Sequence, residues 1–294
     1  MVSSSAHATV GALVETMALA LAPLGHAATS EARDLLALMH DEPRHWATVS
    51  RDLPVSAAVR AGALLAAQRR AAGAPIQYAA GRAAFRTLSL AVDERVLIPR
   101  PETEILVDLV LRLMEGEDGG VIVDVGTGSG AIALSLAVEG RFDLVIGTDV
   151  STDALVVARR NSAHVAARCR ARVEMRAGAL LAPVSERAVR AVVSNPPYIA
   201  FDEAPALPAS VRDWEPAVAL FSDEGGMAMT ARLIREAADV LAPRGVVALE
   251  VDSRRAADVA HVVESHGAFD DVHILKDLTG RDRFMVARRR EERG

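Results

Sequence analysis

The sequence predicts an α/β domain built on a parallel sheet with helices on both faces, behind a helical N-terminal region. Three observations lead there. From Val121 onward, short apolar runs of strand length alternate with helix-length segments, the pattern of βαβ units. The first run, Val121-Ile122-Val123-Asp124-Val125, passes straight into Gly126-Thr127-Gly128-Ser129-Gly130, a strand-to-helix turn. Residues from about Val10 to Ala72 carry apolar positions at helical spacing, with no strand pattern to interrupt them.

The elements follow in order. Residues 6–22 read as a first helix. A second begins near Ser30, which reads as its N-cap, with Leu35, Leu36, Leu38 and Met39 as its buried stripe. Residues 56–72 form an Ala-rich helix whose Arg69 and Arg70 suit a C-terminus. Gly73-Ala74-Pro75 breaks it. Residues 85–92 and 95–98, separated by Asp93-Glu94, read as a hairpin, ended by Pro99-Arg100-Pro101-Glu102-Thr103-Glu104. Glu102 or Thr103 then helps start a helix over 105–114. Strands are expected at 121–125, 144–148, 172–176, 191–194, 246–250, 271–275 and 283–287, and helices at 130–139, 153–163, 226–241 and 254–265. The Arg-rich tail 288–293 includes Glu291 and Glu292 and reads as a frayed, solvated end.

Composition narrows the function. The 294 residues are 51% hydrophobic but only 3% aromatic, so Ala, Val and Leu must build the core. A net charge of -6 argues against unaided binding of nucleic acid. The single Cys169 excludes an internal disulfide framework and a multi-cysteine zinc site, and no metal is expected. Residues 10–24 are apolar, but Glu15 interrupts them and no Lys or Arg precedes them, unlike a secretory signal. No apolar run reaches membrane-spanning length. The expectation is a soluble, cytoplasmic protein, with a monomer as the default.

Gly126, Gly128 and Gly130 let a ligand approach the backbone at a helix start, where free N–H groups point outward. The G-x-G-x-G spacing departs from the G-x-G-x-x-G of dinucleotide sites and favours S-adenosylmethionine, although a tight turn alone uses glycines too. Thr127 and Ser129 complete this cofactor loop. Asp149 ends the second expected strand, where an acid accepts hydrogen bonds from ribose hydroxyls; the competing reading is an N-cap, a job Ser151 and Thr152 already cover.

The most informative motif is Asn195-Pro196-Pro197-Tyr198, directly after the apolar run Ala191-Val192-Val193-Ser194. A carboxamide nitrogen is a poor nucleophile because its lone pair is delocalised. Methyl transfer needs that nitrogen oriented by acceptors on its two N–H groups, which also stabilise the positive charge that develops. The Asn195 side-chain oxygen and the Pro196 carbonyl suit this role, and the two prolines hold them rigid. Tyr198 offers an aromatic face to a planar amide. Asn195, Pro196 and Tyr198 are therefore the candidate catalytic residues, and Asn195 through Tyr198 the candidate substrate site. Alignment supplies most of the rate, and no general base is assigned. A rigid turn after a strand is the plainer alternative, but it has no need of the tyrosine.

These segments together resemble the HemK-type peptide chain release factor N5-glutamine methyltransferases. The matching stretches are RAAGAPIQYAAG from Arg70, VLIPRPETE from Val96, VDVGTGSGAIA from Val123, TDVSTDALVVARRN from Thr148, SNPPYI from Ser194 and KDLTGRDR from Lys276. The resemblance implies a seven-stranded, Rossmann-like class I S-adenosylmethionine-dependent methyltransferase domain over 101–294. An N-terminal helical substrate-recognition domain over 1–80 and a β-hairpin linker over 81–100 would precede it. It implies S-adenosylmethionine at Gly126–Gly130, Asp149, Leu180 and Asn195. The implied partner is a release factor, whose Gly-Gly-Gln glutamine is held at Asn195–Tyr198. Pro-Arg-Pro-Glu-Thr-Glu favours this branch over the ribosomal-protein glutamine methyltransferases, which tend to carry Pro-Arg-Ser-Pro; Glu102 and Glu104 are either ligand contacts or first-turn acids. One departure stands out: Gly178-Ala179-Leu180-Leu181 lacks the polar residue the family often places beside adenine, leaving Leu180 as an apolar contact. Methylation of an exocyclic nucleobase amine, especially adenine N6, is the alternative within the same chemistry, and an inert nucleotide-binding module is the alternative outside it.

Overall fold

A computed structural model describes residues 9–186 and 188–291. Residues 6–8 of the expected first helix and 292–293 of the tail lie outside the described residues.

The chain divides into two units: 1–83 with 91–94 and 208–214, and 84–90 with 95–207 and 215–294. The first unit holds α1 (Val10–Ala20), α2 (Ala28–His40), α3 (Trp46–Val49), α4 (Ala57–Ala71) and α5 (Ile76–Ala80). Leu13, Met17, Leu21, Leu35 and Leu36 are fully buried against Ala63, Ala66 and Ala67 of α4. The small side chains of α4 leave room for these large ones. Ser56 caps α4, accepting from Val59 N at 3.2 Å. Ser30 does not cap α2: a 3-10 turn over Ala22–Ala27 leads straight into the helix, and the Ser30 hydroxyl donates to the Ala27 carbonyl at 2.9 Å. Leu35 and Leu36 form the deep part of the α2 stripe, with Leu38 and Met39 only half-buried.

The hairpin lies earlier than the alternation suggested. Its strands are β1 (Arg82–Phe85) and β2 (Leu88–Ala91), and the turn falls at Arg86-Thr87; residues 95–98 are not strand. Arg86 adopts φ +52°. Its backbone N–H donates to Glu104 Oε1 at 2.9 Å and its guanidinium to both Glu139 oxygens at 2.8 and 2.6 Å. These ties hold a conformation that an arginine seldom adopts. They also give Glu104 a structural role.

The second unit runs α6 (Pro101–Leu113), β3 (Val121–Val125), α7 (Ala131–Glu139), β4 (Leu144–Asp149), α8 (Thr152–Val165), β5 (Arg172–Ala177) and β6 (Val189–Ser194). Short turns follow: a 3-10 turn over Phe201–Ala206, α9 (Ala209–Arg212, in the first unit), α10 (Ala217–Leu220) and α11 (Asp223–Gly226). Then come α12 (Ala228–Val240), β7 (Leu241–Glu250), α13 (Ala256–His266), β8 (Phe269–Lys276) and β9 (Asp282–Arg289). Pro101 opens α6 at the position where its missing N–H costs nothing. Thr103 does not cap that helix; it is buried within its first turn.

The seven strands form one sheet in the order β5-β4-β3-β6-β7-β9-β8. The first five are parallel, as expected, but β9 runs antiparallel to both β7 and β8. A parallel partner would need a crossover of a dozen or more residues, and only a tight turn separates β8 from β9. Asp277 Oδ1 pins that turn by accepting from Thr279 N at 2.8 Å and Arg281 N at 3.1 Å. Alternation along the strands builds two cores. Ile122, Ala191, Val193 and Val246 pack on one face with α6 and α7. Val123, Val192, Val247 and Leu249 pack on the other with α12 and α13.

Candidate active site

The order reverses at β3, whose neighbours β4 and β6 lead in opposite directions. Ligands in open α/β sheets bind beyond the carboxyl ends of strands at such a switch point. A cavity of about 370 Å³ lies there, within the roughly 300–1,000 Å³ of small-molecule sites. Gly126, Gly128, Asp149, Leu180, Asn195, Pro196 and Pro197 line it. Of the other expected site residues, Thr127, Ser129, Gly130 and Tyr198 do not line it.

The loop after β3 shows why. Gly126 and Gly128 take φ +72° and +54°, leaving bare backbone toward the cavity. Thr127 turns inward, its hydroxyl donating to Asp124 Oδ2 at 2.6 Å. The buried Ser129 carbonyl accepts from Asn161 Nδ2 at 2.9 Å. Gly130 precedes α7 with φ +85°.

Asp149 caps β4 at the cavity edge. Its Oδ2 accepts from Gly128 N at 2.9 Å and its Oδ1 from Ser151 N at 2.8 Å. A carboxylate offers about four acceptor positions, so each oxygen keeps capacity for a ligand hydroxyl. The helix cap is supplied by Ser151, which accepts from Ala154 N at 3.1 Å. Burial raises the Asp149 pKa above the ordinary aspartate value. Thr148 Oγ1 donates to the Leu180 carbonyl at 2.8 Å and draws the loop after β5 over the sheet end. That bond accompanies the left-handed backbone of Leu180, φ +48°.

Asp124 escaped the reading of the motif it belongs to. It is fully buried under the glycine loop, and Oδ2 also accepts from Ala133 N at 3.1 Å. Burial pushes its pKa up to about 7, against the opposing pull of Thr127 and Ala133. The group therefore contributes stability in full below the unfolded value near 4, and loses it as the pH rises through about 7. Asp124→Asn is expected to flatten the pH dependence of urea unfolding between about 4 and 7. An unchanged slope would contradict the raised pKa of this buried carboxyl.

On the opposite wall, Ser194 Oγ donates to the Val125 carbonyl at 2.7 Å and locks the end of β6 to β3. Asn195 follows, half-buried, with Nδ2 donating to Thr103 Oγ1 at 3.2 Å. Thr103 Oγ1 in turn donates to Glu250 Oε2 at 2.7 Å. The Tyr198 hydroxyl makes a long contact to Glu250 Oε1 at 3.5 Å. Burial, then the Glu250 charge, raises the Tyr198 pKa, so the phenol stays neutral at physiological pH. Thr103 and Glu250 were not foreseen as site residues. Pro-Arg-Pro-Glu-Thr-Glu drew attention to its acids, yet its threonine is what reaches Asn195.

A tethered segment follows the motif. Ile199 N donates to the Leu220 carbonyl at 3.1 Å, and Ser222 N returns to the Ile199 carbonyl at 2.9 Å. Arg255 bonds the Gly225 carbonyl at 2.5 Å and Glu203 Oε2 at 2.8 Å. Arg100 pairs with the buried Glu215 at 2.6 Å. Among the described residues, no helix is long and apolar enough to cross a membrane, and no group of His, Cys, Asp and Glu is placed to hold a metal ion.

Known proteins share this pattern. The family described as Methyltransferase small domain matches residues 103–207. A methyltransferase from Pyrococcus furiosus shares the fold at a TM-score of 0.51 and 20% identity, covering 68% of this chain and 87% of that one. The hMettl16 catalytic domain does so at 0.55 and 15%, covering 76% and 81%. In sequence, the release factor glutamine methyltransferase of Moorella thermoacetica is 41% identical over 250 residues, 85% of this chain and 87% of its own. That of Cereibacter sphaeroides is 39% identical over 263 residues, 89% and 91% of the two chains. With such identity over most of both chains, the protein belongs to the release factor glutamine methyltransferase family.

Proposed function

We propose that this protein methylates the side-chain amide nitrogen of the glutamine in the Gly-Gly-Gln loop of peptide chain release factors, with S-adenosylmethionine as the donor. The observation that carries the reading is one cavity bounded by the Gly126–Gly128 backbone and Asp149 on one side and by Asn195-Pro196 on the other. The residues present fit the donor. The bare backbone of the glycine turn admits close approach, Asp149 keeps acceptor capacity for ribose hydroxyls, and Leu180 and Ala179 give an apolar wall for adenine. Bound there, the donor supplies an electrophilic methyl group on a positively charged sulfur.

The chain's own groups do the rest. Asn195 Oδ1 and the Pro196 carbonyl accept the two N–H bonds of the substrate amide and turn its lone pair toward the methyl carbon. As positive charge grows on nitrogen, both acceptors strengthen without having to reorganise. Tyr198, neutral, packs its ring beside the planar amide. The surplus proton leaves to water after transfer, so no side chain acts as a base. The helical first unit recognises the release factor body, and the reaction takes place in the cytoplasm, where release factors work.

The test is mass spectrometry of purified release factor after incubation with enzyme and S-adenosylmethionine. The expected result is one added methyl group on the loop glutamine. Methyl gain elsewhere, or none, would reject the reading.

A further inference from the structure

The contacts around Asn195 define which way its amide faces. Thr103 is 4% exposed and Glu250 is 2% exposed, so water does not compete for their polar atoms. A hydroxyl carries one proton. The Thr103 proton is committed to Glu250 Oε2 at 2.7 Å. Toward Asn195 the hydroxyl can then only accept, and it takes Nδ2 at 3.2 Å. Turning the amide over would set the Asn195 oxygen against the Thr103 oxygen, two acceptors with no proton between them. Worse, it would present an NH2 group to the substrate, which also offers only N–H at the reacting atom.

We propose that Thr103 and Glu250 are positioning residues that set the polarity of the site: Glu250 orients the Thr103 hydroxyl, and Thr103 orients Asn195 so that Oδ1 faces the substrate amide. The assignment rests on the glutamine-methylation reading above. It explains why a carboxylate is buried at the end of β7, 147 residues from the threonine it binds, with no part in the proton inventory of the reaction. Glu250 is faced by Thr103 and Glu102 from α6, by Tyr198 from the loop after β6 and by Arg283 from β9. Burial first, and then the Glu102 charge, raise the Glu250 pKa above the ordinary glutamate value, while the hydrogen bonds from Thr103 and Tyr198 and the Arg283 charge oppose that rise and favour the ionised, accepting form.

Thr103→Val keeps the shape and removes the hydroxyl; Thr103→Ser keeps the hydroxyl. We expect Thr103→Val to lower kcat about 10–100-fold, the scale of a misplaced catalytic group, with S-adenosylmethionine affinity by calorimetry and KM for release factor little changed. Thr103→Ser should recover kcat to within about threefold of the unaltered enzyme. If Thr103→Val does not fold, Thr103→Ala takes the same test. A hydroxyl-free variant that binds S-adenosylmethionine and retains kcat overturns the proposal. So does a serine variant as impaired as the valine one. Failure of the unaltered enzyme to methylate the glutamine would instead strike at the functional reading, before any variant is compared.

Discussion

Asn195→Ala is expected to bind S-adenosylmethionine with nearly unchanged affinity and to lose about 10²–10³ in turnover, the usual effect of deleting one preorganised polar group at a reacting centre. The two effects separate because of where the side chain stands. Asp149, Gly126 and Gly128 lie on the far wall of the cavity and keep their own hydrogen bonds when Asn195 is shortened. The backbone at 195 is fixed independently: Ser194 ties the preceding residue to Val125 at 2.7 Å, and two prolines follow. What disappears is the acceptor whose interaction grows as the substrate nitrogen becomes positive. The deficit should therefore appear in kcat under saturating donor and release factor, and in single-turnover rates. Calorimetry supplies the donor affinity. Turnover within a few-fold of the unaltered enzyme would remove Asn195 from the reacting centre.

Much of this architecture was legible because its causes are local. Parallel strands are buried on both faces and read as largely apolar runs, as Val121–Val125 and 191–194 do despite Asp124 and Ser194. A glycine turn at the end of one run and an Asn-Pro-Pro turn at the end of another mark the same end of the sheet, and the switch point brings both turns to one cavity. What stayed hidden depends on distant partners. The hairpin turn at Arg86 is favoured by Glu104 and Glu139, which no local pattern announces. The 201–226 segment has single turns too short to show a period. Thr103 is 92 residues from Asn195 and 147 from Glu250, so its part in the site emerges only from the packing of α6 against the sheet.

That segment supplies the other large expected effect. Gly226 takes φ +89°, and a Cβ there would fall on the Tyr198 carbonyl, 3.0 Å from its carbon and 2.9 Å from Arg255 Nε. Neither neighbour can withdraw cheaply. Arg255 is held by the Gly225 carbonyl at 2.5 Å and by Glu203 at 2.8 Å, while Tyr198 belongs to the rigid Asn-Pro-Pro-Tyr turn. In Gly226→Ala the Tyr198 carbonyl must shift, carrying Pro196 and Asn195 with it. A displacement near 1 Å in a reacting geometry costs about 10² in rate, and we expect a loss of that size in kcat with a lowered Tm. Gly225→Ala is the matched control. Gly225 is also left-handed, φ +63°, but a Cβ there meets nothing within 4 Å. Both variants bear the roughly 1–2 kcal/mol of a left-handed alanine, so only the collision differs between them. Kinetics and thermal unfolding of the pair should show Gly225→Ala mildly destabilised and active, Gly226→Ala destabilised and nearly inactive. Equal impairment of the two would mean that backbone strain alone is responsible and that the Tyr198 carbonyl does not need to stay where it is.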